Sequence, residues 1–115
     1  MAIGVMPSVG KTMDTVDYNI TITAKTGNTD NWEADATVGT DCYTQTVLTA
    51  DISPNLYIDG GTKFYVLPHP NSVTSSALEQ FAWLACAEST DTGIKFYSVR
   101  GKPSFDIPVT IRIII

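Results

Sequence analysis

Lys102-Pro103-Ser104-Phe105-Asp106-Ile107-Pro108-Val109-Thr110-Ile111-Arg112-Ile113-Ile114-Ile115 is the stretch that decides the fold of this chain. Side chains of a β-strand alternate between its two faces, so Phe105, Ile107, Val109, Ile111, Ile113 and Ile115 fall on one side. Asp106, Thr110 and Arg112 fall on the other. An apolar face of that length has to be covered by the rest of the chain, which makes the stretch a core strand. Pro108 has no N–H to donate, so the strand is expected to lie at an edge there or to carry a bulge. The opposite face, with Thr110, Arg112 and Ile114, is a candidate contact surface.

Working outward, Tyr18, Ile20, Ile22 and Ala24 alternate with Asn19, Thr21, Thr23 and Lys25, a first strand. A loop over residues 26–31 leads to Trp32, Ala34, Ala36 and Val38, which alternate with Glu33, Asp35 and Thr37. Cys42 to Ala50 reads as a further strand. Lys63 to Leu67 is a short apolar run expected to be buried on both faces or to lie centrally. Ile94 to Val99 is a strand entered through a hairpin loop at Ser89–Gly93. A single helix is expected over about residues 73–83. Ser76 and Glu79 fit a capping box there, and Ala77, Leu78, Phe81, Ala82 and Ala85 recur at helical spacing. The chain is expected to switch to a strand near Trp83 or Leu84.

The fold class is therefore mainly β: an antiparallel β-sandwich of about eight short strands with one short helix. Residues 1–16 read as an irregular N-terminal arm and residues 17–115 as a single sandwich domain. With 115 residues, 43% of them hydrophobic and 17% charged, one core can be filled without a disulfide or metal staple.

Seven basic against twelve acidic residues give a net charge of -5, and no basic cluster interrupts the chain. That field repels a phosphate backbone, so nucleic acid is not an expected partner. Neither a signal peptide nor an apolar run of membrane-spanning length is present in the sequence; synthesis in the cytosol without export or membrane insertion is expected. Cys42 and Cys86 lie far apart on predicted strands and are either separate thiols or a pair across the sheet. Separate thiols suit a cytosolic product better.

Motifs that carry chemistry are weak. Val5 to Thr12 ends in Gly10-Lys11-Thr12 like a phosphate-binding loop, but Gly4 stands five residues before Gly10 and the following residues are strand-like rather than helical. Asn28, Asp30, Glu33 and Asp35 offer oxygen atoms, yet Trp32 stands where a ligand would be in a calcium loop. His69 could act as a base, but a loop histidine between two prolines, here Pro68 and Pro70, is more often solvent-exposed or an interface contact. The residues thus specify no catalytic group, no cofactor and no metal site.

Several landmarks together resemble a group of small structural, tail-associated proteins of Firmicutes tailed phages and prophages. The matching pieces are Trp32 followed by Tyr43-Thr44-Gln45-Thr46-Val47, then Leu78-Glu79 with Trp83, then Gly93-Ile94 with Phe96-Tyr97, then Lys102-Pro103 through Asp106-Ile107-Pro108-Val109. They run in the same order over residues 18–115. The resemblance implies a non-enzymatic virion protein of the tail or fibre, an assembly or adhesion module whose partners are other virion proteins and further copies of itself. A trimer is expected if it belongs to a fibre. A different class of function, carbohydrate binding, would use Trp32, Tyr43, Tyr57, Tyr65 or Trp83 as flat surfaces for the sugars of a cell-surface glycan. Trp32, Tyr43, Tyr57, Thr110 and Arg112 are the candidate contact residues from these two readings.

Overall fold

The computed structural model describes residues 14–69 and 74–115. The phosphate-loop-like motif and the first helical residue expected at 73 lie outside them. Among the described residues nine strands and two short helices follow in chain order: β1 (Thr15–Ile22), β2 (Lys25–Thr26), β3 (Thr29–Asp30), β4 (Glu33–Ala34), β5 (Tyr43–Leu48), α1 (Thr49–Ile52), β6 (Phe64–Pro68), α2 (Ser75–Phe81), β7 (Leu84–Ser89), β8 (Gly93–Ser98) and β9 (Ile107–Ile114).

The protein is mainly β and antiparallel. A three-stranded sheet has the order β1-β9-β6 and a four-stranded sheet the order β4-β5-β8-β7. The two face each other as a sandwich. Ile107, Val109, Ile111 and Ile113 of β9 meet Ile94 and Phe96 of β8 in the core, with Ile22, Trp32 and Ile58 closing its ends. Every second residue of β9 is inside, as its period requires.

Phe105 departs from the expected face. It is 49% exposed and precedes the strand. Gln80 is the cause: its buried Oε1 accepts from the N–H groups of both Ser104 and Phe105 at 2.9 Å, and its Nε2 donates to Ser104 Oγ at 3.0 Å. The loop is held by its backbone, and the alternation begins only at Ile107.

Pro108 meets the first of its two expected settings locally: β9 is central and bulge-free in its pairing with β1 and β6, but the ladder with β6 ends at Val109, so β9 has an open edge on that side at Pro108. The Ile114 N–H donates to Lys63 O and the Ile115 N–H to Asp14 O. Even-numbered residues of β9 therefore bond toward β6 and odd-numbered ones toward β1. The donor Pro108 lacks would point past the end of β6, beside His69, whose own N–H still donates to Pro108 O at 3.3 Å. A proline near the start of a strand is tolerated for that reason.

The apolar run at residues 63–67 becomes β6, an edge strand rather than a central one. Phe64 and Val66 pack on the core while Tyr65 is 54% exposed, since among the described residues no strand pairs beyond β6. The alternation expected from Trp32 to Val38 forms only the two-residue β4, after which residues 36–41 turn back. The strand expected to reach Ala50 stops at Leu48, where Ser53 N–H bonding to Thr49 O closes the single turn of α1.

α2 is shorter than expected and capped elsewhere. Thr74 Oγ1 accepts from Ala77 N–H at 3.2 Å, so the cap is Thr74 and not Ser76. Ala77 and Gln80 face inward, and Leu78 is exposed. The switch to strand comes at Leu84, and β7 turns into β8 through residues 90–92, where Thr90 Oγ1 accepts from Gly93 N–H. β2 and β3 form a two-residue hairpin whose first turn residue, Gly27, has φ 61. Cys42 is buried and Cys86 exposed, and both thiols are free.

Candidate functional site

The structure separates the five candidate residues. Thr110 and Arg112 lie on the outer face of the three-stranded sheet. Arg112 makes a two-point contact with Asp17, Nε to Oδ1 at 2.8 Å and Nη2 to Oδ2 at 3.0 Å, with Tyr65 on its other side in register. One step along, Thr110 donates to Asn19 Oδ1 at 2.7 Å and is only 8% exposed. The hydrogen bond from Arg112 holds the Asp17 carboxyl below the usual carboxylate range.

Trp32 is 3% exposed and belongs to the core. Its indole offers no face to a ligand, and its buried Nε1 has no hydrogen-bond partner among the described residues. Tyr43 is half-buried against the same core, in register with Ser98. Trp83 is also half-buried. Two of the five aromatics are exposed: Tyr65, beside Arg112 on the outer face of its sheet, and Tyr57, the more open at 78%, with its hydroxyl donating to Asp59 Oδ2 at 3.3 Å. The Asp59 charge pushes the phenol up from its usual value.

Two concave surfaces that the sequence does not announce stand out instead. The first is apolar and lies at the end of the sandwich where β9 finishes. About 540 Å³ of space is bounded by Val16 and Tyr18 of β1, Leu56 and Tyr57 of the loop before β6, and Ile113 to Ile115. Val16, Tyr57 and Ile115 are all exposed large hydrophobic residues. The signal in sequence was the unbroken Ile113-Ile114-Ile115: only two faces exist, so three successive isoleucines cannot all be buried in one core.

The second is polar, about 640 Å³, and runs between the free edge of β1 and the free edge of β5. Its walls carry Asn19, Thr21 and Thr23 on one side and Thr44 and Thr46 on the other. Gln45 bridges the two sheets at its base by donating Nε2 to Thr23 O at 3.0 Å. Asn31 helps fix the same corner, donating to Thr23 Oγ1 at 2.8 Å.

The oxygen-rich loop is engaged internally. Asp30 Oδ2 accepts from Lys102 Nζ at 2.7 Å, with Lys25 at 3.7 Å from Oδ1, and the Lys102 contact lowers the Asp30 pKa. Asp35 accepts from Thr37. On the outer face of the four-stranded sheet Lys95 lies 5.1 Å from the centre of the Tyr97 ring, and Tyr97 donates to Glu88, which pushes its phenol up to about 12. Among the described residues no group of three His, Cys, Asp or Glu side chains is placed to hold a metal ion, and no helix is long and apolar enough to cross a membrane. No family model matches this chain, and neither does any curated protein or solved structure.

Proposed function

We infer that the protein is a non-enzymatic virion structural protein of a tailed phage or prophage, a tail- or fibre-associated assembly module that packs against copies of itself and other virion proteins. The observation that carries the assembly part is the apolar cleft at the end of β9, where Val16, Leu56, Tyr57 and Ile114 surround space left open on the described chain. Contiguous apolar surface of this kind is costly to leave in water and marks protein interfaces. The phage context rests on the sequence landmarks at Tyr43–Val47 and Lys102–Val109.

Two measurements test this reading. Mass spectrometry of purified particles is expected to find the protein, and light scattering of the isolated chain is expected to give an oligomer that Tyr57→Ser with Val16→Ser reduces to monomers. A strict monomer that is also absent from particles overturns it.

One observation favours carbohydrate binding as a second reading: the open Tyr57 ring next to a carboxylate, the arrangement in which a sugar ring stacks and a hydroxyl is bound. On a glycan array this reading expects a signal lost in Tyr57→Ala and retained in Trp32→Phe, because Trp32 is internal. A silent array removes it.

A further inference from the structure

We propose that the polar groove between β1 and β5 is a strand-addition site for an extended, cationic peptide segment of a partner protein. The site supplies the assembly module with a second contact surface and rests on that reading for the nature of the partner.

The backbone carries the argument. The Asp35 N–H donates to Cys42 O at 2.9 Å and the Thr49 N–H to Thr92 O at 3.0 Å. These bonds fix the parity of β5: odd-numbered residues bond to β8 and even-numbered ones face the β4 side. Pairing with β4 ends at Glu33, opposite Thr44. The next residue in line to bond Thr46 is Asn31, but its N–H is committed to Ala24 O at 3.0 Å, because the chain leaves the sheet to bury Trp32. The N–H and C=O of Thr46 and the N–H of Leu48 therefore point into the groove. Across it, β1 pairs among the described residues with β9 alone. Ile115 N–H bonding to Asp14 O places the even-numbered residues of β1 toward β9, so Asn19 and Thr21 turn their backbone groups to the same space.

An unpaired edge recruits an extended chain by main-chain hydrogen bonds, and the flanking side chains select which chain. Here Glu33 and Asp51 line the groove and, among the described residues, no Lys, Arg or His does, so its charge favours a cationic segment. Ile20 and Val47 offer apolar contacts to alternate side chains. Among the described residues no aromatic ring lines it, which leaves a sugar without a stacking surface and favours peptide over glycan.

The test uses the full chain and a capped seven-residue peptide of alternating threonine and valine with lysine at each end. Its controls are the same peptide N-methylated at alternate residues and a panel of neutral oligosaccharides. In two-dimensional amide NMR, the parent peptide is expected to shift Thr46 and Leu48 and to slow their hydrogen exchange about tenfold or more. The N-methylated peptide is expected to do neither.

Leu48→Pro is the diagnostic variant. Leu48 has φ -68, the angle proline imposes, and its N–H is not part of the β5–β8 ladder, so the fold is kept while the edge donor is lost. It is expected to weaken binding about tenfold. Glu33→Gln with Asp51→Asn is expected to weaken it at low salt only.

No shift at millimolar peptide, binding that survives N-methylation, or oligosaccharides shifting these amides in place of the peptide overturns the proposal. A protein present in particles whose groove fails this test loses the groove assignment alone. One that binds the peptide but is absent from particles loses the virion reading alone.

Discussion

β9 and β5 are written in the same alternating pattern and end in different circumstances. β9 has a strand on each side along nearly its whole length, and its inward isoleucines and valine are fully enclosed. β5 has β8 on one side, but on the other its partner β4 covers only Tyr43 and Thr44. Pairing turns the first into the centre of the core and leaves the second with backbone groups open to solvent. The difference lies in neighbours rather than in residue choice, and the surfaces able to bind a partner lie where pairing stops.

Several substitutions can break or sharpen that contrast. The largest effect is expected at the centre. Phe96 of β8 is fully buried against β9, and Phe96→Ala should lower unfolding free energy in urea by about 3–5 kcal/mol, transfer loss and cavity combined. A much smaller loss would mean that the two sheets are not packed as described. Next comes the contact between β5 and β8. A Cβ on Gly93 would lie 2.0 Å from Val47 O, a backbone atom that cannot step aside, so Gly93→Ala should cost about 1–3 kcal/mol or more and shift the amide resonances of Val47 and Leu48.

Gln80→Leu should cost about 1–3 kcal/mol, because the Ser104 and Phe105 N–H groups lose their acceptor while the leucine adds only apolar contact. Circular dichroism melts with Gln80→Glu as a companion would separate loss of the acceptor from loss of the amide donor. Within β5, native-state hydrogen exchange should protect the Val47 amide at least about a hundredfold more than Thr46 or Leu48, its neighbours on the open side. Equal protection would show that the edge is covered.

The smallest effect is at two surface ion pairs, Asp17 with Arg112 on the outer face of the β9 sheet and Asp30 of the β2–β3 hairpin with Lys102. The Asp17 and Asp30 carboxyls are held below their usual value of 3.8 by Arg112 and Lys102. Groups with a depressed folded pKa stabilise fully above the unfolded value, and that contribution fades as the pH falls below about 3.8 through the folded pKa. Both pairs are exposed to solvent, so the loss should be modest and weaker at high salt. Asp17→Asn should flatten this part of an acid titration of stability and lower neutral-pH stability by the same modest amount.

Much of the sandwich was legible in the residues. The alternation of β1, β5, β8 and β9, the hairpin between β7 and β8, and the change from helix to strand at Leu84 all follow from periodicity and turn chemistry. Local patterns report which side chains share a face, and these strands obey them. The candidate contacts were harder to read. Trp32 and Tyr43 were candidates because they are aromatic, yet aromatic character suits a core as well as a surface, and here it serves the core. Thr110 was expected on a contact face and lies on that face, but its hydroxyl is tied to Asn19 across the sheet.

By itself the sequence determined the class of fold, the central importance of residues 107–113 and the inward face of that strand, because a period of two and a β-branched run have only one economical burial. Tertiary structure alone decided the rest. It made β9 central despite Pro108, by setting the missing donor beyond the end of β6. It turned Phe105 outward by letting Gln80 seize the loop before it, and it left β5 half unpaired because burying Trp32 drew the chain away from β4's line. Each of these depends on a neighbour distant in sequence, and hydrogen-bond partners of that kind leave no periodic trace in the residues they join.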